Sequence, residues 1–132
     1  MTMIIKYEKN NAMFEGELFF QENDDKIVMS YITNDKMYES RGINLFDTMK
    51  LLRRELENDN ILLFCNGCAE NVYPSGMMRD ISSCELAYKM IIGKRAEKSD
   101  IVNIFEYDTS LKPTTVDSQD KFYNNWLKSI GV

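Results

Sequence analysis

Apolar and polar residues alternate through the first third of the chain, which is the pattern of strands that bury one face. In residues 13–21, Phe, Gly and Leu fall on one side, and Glu and Gln fall mostly on the other. Residues 26–33 alternate in the same way, and the polar residues 22–25 between them favour a turn. We therefore predict an antiparallel hairpin, which residues 3–7 extend into a meander.

The apolar period changes to that of a helix at residue 45. One stripe at helical spacing consists of Leu45, Met49, Leu52 and Leu56. We predict a helix over residues 45–57, with Asn44 as its N-cap and Asp47 in its first turn. A second helix is predicted over residues 118–130 from a ladder of aromatic and aliphatic side chains, with Asp117 as its cap.

The pattern between these helices predicts shorter elements. Residues 61–65 form an apolar run too short for a typical helix, which indicates a buried, central strand followed by a tight turn at Asn66 and Gly67. Residues 86–92 fit a strand or a helix, and their β-branched residues favour the strand. Residues 101–107 fit a short helix or an edge strand equally well.

These elements predict a single α+β domain over residues 1–132. An antiparallel sheet of four to six strands is packed by the helices over residues 45–57 and 118–130. A chain of 132 residues suits one domain, and its hydrophobic fraction of 44 % lies in the range of globular proteins.

Composition limits the chemistry that this domain can perform. The chain contains no histidine, which excludes Ser-His-Asp and Cys-His catalysis and histidine-ligated metals. Its formal charge is −5, and residues 1–40 carry eight acidic side chains against four basic ones. An acidic field repels phosphates and attracts basic surfaces, so we expect no direct binding of nucleic acid.

The three cysteines indicate reduced thiols rather than a disulfide framework. Cys65 and Cys68 have the spacing of a dithiol redox site, but Pro74 ends any helix soon after them. A closed zinc site needs four ligands, and three cysteines without histidine do not supply them. We expect no metal and no cofactor, and we expect Cys84 to be a small buried residue.

Two groups of carboxylates could form a docking surface for a basic protein. Glu15 and Glu17 belong to the second predicted strand, and Glu22, Asp24 and Asp25 belong to the turn that follows it. Carboxylates at such positions are often simply solvated. If they have a function, electrostatic attraction of a basic partner suits them better than catalysis.

Residues 71–80 combine turn formers with residue types that are common in interfaces, and we interpret them as a loop. Tyr73 and Arg79 are types enriched at binding hot spots, and Met77 can adapt to an irregular partner. Tyr73 and Met77 could instead cap the core beneath the loop.

A basic cluster on the first helix, Lys50, Arg53 and Arg54, is interpreted as a solvated face.

The chain resembles the small immunity proteins of bacterial contact-dependent growth inhibition and related polymorphic toxin systems. The resemblance lies in its small acidic character and in residues 65–68 and 71–77. It implies a cytoplasmic protein, not an enzyme, that binds one cognate toxin domain, often a nuclease, and blocks it. The contact residues expected from the residue types are Glu15, Glu17, Glu22, Asp24, Asp25, Tyr73, Met77 and Arg79.

Two other functions remain open at this point. One is a thiol oxidoreductase that uses Cys65 and Cys68, and the other is a scaffold or interaction subunit. No apolar run is long enough for a membrane span, and the first residues are too short for a secretory signal, so we expect a soluble cytoplasmic protein.

Overall fold

The computed structural model describes residues 2–81 and 83–132, and for residues 79–81 it describes the backbone alone. The elements in chain order are β1 (Thr2–Lys9), β2 (Ala12–Asn23), β3 (Lys26–Ile32), β4 (Met37–Gly42), α1 (Leu45–Asn58), β5 (Ile61–Phe64), β6 (Val72–Tyr73), α2 (Gly76–Ile81), β7 (Leu86–Lys89), β8 (Ile101–Asn103) and α3 (Val116–Ser129). Short 3₁₀ helices at Asn66–Cys68 and Lys98–Asp100 precede β6 and β8. The predicted α+β class is confirmed.

The first four strands form the predicted meander within a five-stranded antiparallel sheet of order β4-β3-β2-β1-β5. Asn10 and Asn11, between β1 and β2, both have positive φ, at 52° and 65°. Asparagine tolerates this conformation, which the tight turns of β-hairpins favour. The polar turn residues therefore help to set the strand register that the alternating pattern requires.

Helix α1 packs on one face of this sheet through the predicted stripe. Leu45, Met49, Leu52 and Leu56 are all buried. Asn44 caps the helix, because its side-chain oxygen accepts a hydrogen bond from the Asp47 amide at 2.8 Å. The predictions of helix, cap and buried face are confirmed.

Strand β5 corrects the prediction of a central strand over residues 61–65. It pairs with β1 alone and therefore lies at an edge of the five-stranded sheet. Its burial alternates, with Ile61 and Leu63 inside and Leu62 and Phe64 half-buried. The apolar run reflects partial cover on both faces, which a pattern cannot distinguish from a central position. The chain then enters a 3₁₀ helix rather than the predicted tight turn.

A second, three-stranded sheet of order β6-β7-β8 accounts for the ambiguous segments. Residues 86–92 contain the predicted strand, although the β-branched Ile91 and Ile92 that favoured it lie beyond its end, and residues 101–107 begin with an edge strand. The prediction of a loop over residues 71–80 is wrong, because this segment contains β6 and α2. Strand β6 is only two residues long and depends on distant pairing with β7.

Helix α3 begins earlier than predicted. Thr115, not Asp117, is its N-cap, and the Thr115 hydroxyl accepts a hydrogen bond from the Ser118 amide at 3.3 Å. Asp117 lies in the first turn, where a negative charge still favours the helix dipole. Both residue types are good caps, so the sequence alone did not distinguish them.

We predicted that the basic cluster on α1 is solvated. This prediction is wrong for its central residue, Arg53, which is only 3 % exposed. Its guanidinium donates hydrogen bonds to the Gln119 side-chain oxygen at 2.6 Å and to the carbonyls of Thr114 and Gly67 at 2.8 and 3.3 Å. Three hydrogen-bond acceptors from distant parts of the chain thus meet at one buried cation. A buried charge is tolerated when such hydrogen bonds replace water.

Gln119 of α3 completes this junction. It is fully buried, and its amide nitrogen lies 2.8–2.9 Å from the carbonyl oxygens of Gly67, Ala69 and Val72. Gly67 and Ala69 belong to the segment between β5 and β6, and Val72 begins β6, where it pairs with Lys89 of β7. The Arg53–Gln119 junction therefore joins α1, α3 and this segment.

In the part of the chain that the structure describes, no helix has both the length and the apolar character needed to cross a membrane.

Replacing Gln119 with leucine should strongly destabilise the protein. The change keeps a similar volume, but it leaves the buried Arg53 charge and the three carbonyls without their side-chain partner. We expect the free energy of unfolding to fall by about 3 kcal/mol in urea titrations. The exposed Gln21→Leu variant should change it by less than about 0.5 kcal/mol. Equal effects of the two changes would contradict a structural role for the junction.

Candidate protein interface

The face of the five-stranded sheet that points away from α1 carries exposed side chains on β1 to β4, and residues 105–107 flank it at the β5 edge. We call it the outer face. One row of directly paired residues crosses four of its strands: Ile4, Glu17, Ile32 and Met37. The three apolar side chains of this row are between 39 and 58 % exposed, and Glu17 is also exposed. The row therefore places a carboxylate among apolar side chains on an open surface.

The next positions along β1 and β2 extend this face. Glu15 lies directly opposite Lys6, and both side chains are exposed. They border a cleft of about 640 Å³ whose aromatic lining includes Phe64 of β5 and Tyr107. Aromatic and apolar surface beside charged groups is characteristic of protein contact sites.

The predicted carboxylates do not form one surface. Glu15 and Glu17 lie on the outer face, whereas Glu22, Asp24 and Asp25 surround a pocket of about 320 Å³ at the β2–β3 hairpin. Glu17 and Glu22 are five residues apart along the strand, which corresponds to about 17 Å. All five side chains are exposed. Because of this distance they form two separate acidic patches and not one surface.

The residues predicted in the 71–80 segment have different environments. Tyr73 is buried, and its ring stacks on Tyr123 with 4.0 Å between the ring centroids. Met77 is 71 % exposed on α2. The backbone of Arg79 also belongs to α2, but its side chain lies outside the described part of the structure. Met77 is therefore accessible to a partner, and Tyr73 is part of the packing instead.

The Tyr73 hydroxyl belongs to a polar triad that the sequence analysis missed. Lys50 of α1 donates to the Tyr73 oxygen at 2.8 Å and to the Asp120 carboxylate at 2.7 Å, and the Tyr73 hydroxyl donates to Asp120 at 2.8 Å. Arg54 adds a longer ion pair to Asp120 at 3.8 Å. The only sign of the triad in the sequence was a base, Lys50, on one predicted helix and an acid, Asp120, on the other, 70 residues later.

The environment of the triad changes two pKa values. Burial raises the pKa of Asp120, but the hydrogen bonds from Lys50 and Tyr73 and the positive charges of Lys50 and Arg54 outweigh this effect and hold the pKa below its usual value. Burial is the largest cause of the raised pKa of Tyr73. Asp120 is thus ionised and Tyr73 is neutral at pH 7. In these states Asp120 of α3 can accept hydrogen bonds from Lys50 of α1 and from Tyr73, and so link the two helices.

The cysteine pair is buried. The sulfur atoms of Cys65 and Cys68 are 3.3 Å apart, and both residues are inaccessible to solvent, as is Cys84. A hydrogen bond to Cys68 and burial raise the pKa of Cys65 well above its ordinary value. Burial also raises the pKa of Cys68, but the hydrogen bond with Cys65 and the positive charge of Arg53 outweigh this effect and lower it. A nucleophilic redox thiol must also be accessible to substrate, and neither buried sulfur is. Among the described residues, no group of three or more cysteine or carboxylate side chains could hold a metal ion.

No protein-family model matches the chain, and no curated protein matches its sequence.

The triad predicts a pH-dependent contribution to stability. Because the pKa of Asp120 is lowered on folding, its stabilising effect is present above its unfolded pKa and is lost as the pH falls through its folded pKa. At pH 7 the Asp120→Asn variant should lose about 1 kcal/mol of unfolding free energy. Urea titrations from pH 7 down to pH 3 should show the difference from the wild type shrinking.

The exposed ion pair of Asp35 with Lys9 supplies a control. Asp35→Asn should change stability by less than about 0.5 kcal/mol at every pH. A loss for Asp120→Asn that stays constant down to pH 3 would show that the charge of Asp120 is not what stabilises the triad.

Burial of the thiols predicts slow chemical modification. The native protein should react with a disulfide reagent such as dithionitrobenzoate far more slowly than a small thiol does, and all three cysteines should react at once in concentrated guanidinium chloride. Absorbance of the released thiolate measures both rates. Rapid reaction of Cys65 in the native protein would contradict its burial and revive the redox hypothesis.

Proposed function

We propose that the protein is an immunity protein, a stoichiometric inhibitor that binds a cognate toxin domain through the outer face of its five-stranded sheet. The observation that carries this proposal is the exposed row of Ile4, Glu17, Ile32 and Met37 on the outer face. Exposed apolar side chains with charged groups among and around them are common at protein interaction sites.

The charge of this surface indicates the kind of partner. The outer face carries Glu15 and Glu17, with the base Lys6 opposite Glu15, and the chain carries a net charge of −5. A basic toxin domain, such as a nuclease with a Lys- and Arg-lined substrate groove, would be attracted by this field and would bind rapidly. The apolar row would then be buried against the partner and slow its dissociation.

The internal polar groups support binding rather than catalysis. Lys50, Tyr73 and Asp120 satisfy one another between two helices. Arg53 and Gln119 are used in the same way within the core. A catalytic group must instead reach a substrate atom within hydrogen-bond distance. The surface of the sheet is thus the better candidate for the functional site.

The test is co-expression with the product of the neighbouring upstream gene, followed by purification and titration calorimetry. We expect a one-to-one complex whose affinity falls with salt, together with protection of cells from that product. Glu17→Lys and Met37→Asp should each weaken the complex by about tenfold or more, because the first reverses a charge within the exposed row and the second places a charge on its apolar surface.

Matched substitutions on the exposed side of α1 provide controls. Glu55→Lys and Leu51→Asp make the same kinds of change at exposed positions, and they should alter the affinity by less than about twofold. A tight complex that is insensitive to the outer-face variants would place the interface elsewhere. Neither complex nor protection, combined with self-association in light scattering, would favour a scaffold subunit instead.

A further inference from the structure

A groove lies between α3 and the three-stranded sheet, away from the residues of the outer face. It has a volume of about 350 Å³, and we call it the α3 groove. Its apolar lining includes Tyr88, Met90, Tyr123, Trp126 and Leu127. Tyr123 and Trp126 stack on each other with 6.2 Å between ring centroids. Apolar and aromatic walls with a few polar groups are typical of binding grooves.

The apolar surface continues from the α3 groove onto a rigid turn over residues 91–94. The Trp126 ring nitrogen donates to the Lys94 carbonyl at 2.9 Å, and the Gly93 amide donates to the Ser129 hydroxyl at 2.8 Å. Gly93 has a φ of +83°, which permits this turn. The turn leaves Ile91 and Ile92 55 % and 52 % exposed. Both contacts to α3 hold this apolar turn in one position.

The charge at this surface is opposite to that of the outer face. Arg95 lines the α3 groove and is exposed, and it forms no ion pair with any residue that the structure describes. Lys94 is its exposed neighbour. The acids that follow in the chain, Glu97 and Asp100, each accept a hydrogen bond from the other's backbone amide in a capping box. A cation beside an apolar groove suits a ligand that combines an apolar group with a carboxylate.

We propose that the α3 groove binds a segment of a protein partner that carries an apolar side chain next to a carboxylate. The apolar side chain enters the groove beside Trp126, and the carboxylate pairs with Arg95. A second copy of the chain fits less well, because two such surfaces placed face to face would bring Lys94 and Arg95 against their own copies. This surface is separate from the outer face, so it adds a second contact to the proposed inhibitor.

The single tryptophan of the chain provides a direct signal for this site. The purified full-length protein is used to select from a displayed library of random short peptides, and enriched peptides are synthesised and titrated while Trp126 fluorescence is recorded. We expect enrichment of peptides that combine aromatic or aliphatic residues with Asp or Glu, and a saturable change in emission.

Substitutions separate the α3 groove from general electrostatics. Arg95→Glu should weaken the binding of these peptides by about tenfold or more, and Arg95→Lys should weaken it less, because the charge is kept while the planar fork is lost. Lys112→Glu makes the same charge reversal at an exposed position outside the groove, and it should change affinity by less than about twofold.

Three results would overturn the proposal: no enrichment, enriched peptides without acidic residues, or equal affinity for the wild type and Arg95→Glu. Concentration-dependent dimerisation of the wild type that Arg95→Glu abolishes would also overturn it, in favour of a second copy as the occupant. Glu17→Lys should leave peptide binding intact. Failure at the α3 groove is therefore distinguishable from failure of the outer-face interface.

Discussion

The buried hydrogen bonds between Arg53 and Gln119 hold together parts of the chain that are far apart in sequence. Arg53 comes from the helix that covers the large sheet, and Gln119 comes from the last helix. The carbonyls of Gly67, Ala69 and Val72 accept from Gln119, so this side chain supplies partners to the segment that leads from β5 into β6. In a buried location such groups need partners, because leaving them unpaired costs free energy.

The position of α3 follows from this junction and has consequences at the surface. Lys50 and Asp120 add a second tether between α1 and α3, one residue away from Gln119 on the last helix. The opposite end of α3 contacts the turn over residues 91–94 through Trp126 and Ser129. The α3 groove thus lies on a helix that is held at both ends. Because the groove is already held in one arrangement, less conformational entropy is lost when a ligand binds to it.

The two proposed binding surfaces differ in the side chains that they expose. Helix α1 buries one face of the five-stranded sheet, and the other face carries exposed Ile4, Ile32 and Met37 with carboxylates among them. The α3 groove is aromatic and carries the cation Arg95. The polar groups with unusual environments, including the triad of Lys50, Tyr73 and Asp120, lie between elements and serve the fold. This use of the internal polar groups supports the proposal that the protein acts through its surfaces.

Local patterns in the sequence determined the meander, helix α1 with its Asn44 cap, and the α+β class, because period and capping depend on residues close together in the chain. They also identified the exposed carboxylates, but not their division into two patches, which depends on the distance between positions on a folded strand. The edge position of β5, strand β6, burial of Arg53 and the triad around Tyr73 depend on partners tens of residues away. A one-dimensional pattern records whether a side chain is apolar or charged, and only tertiary packing decides which distant group it meets.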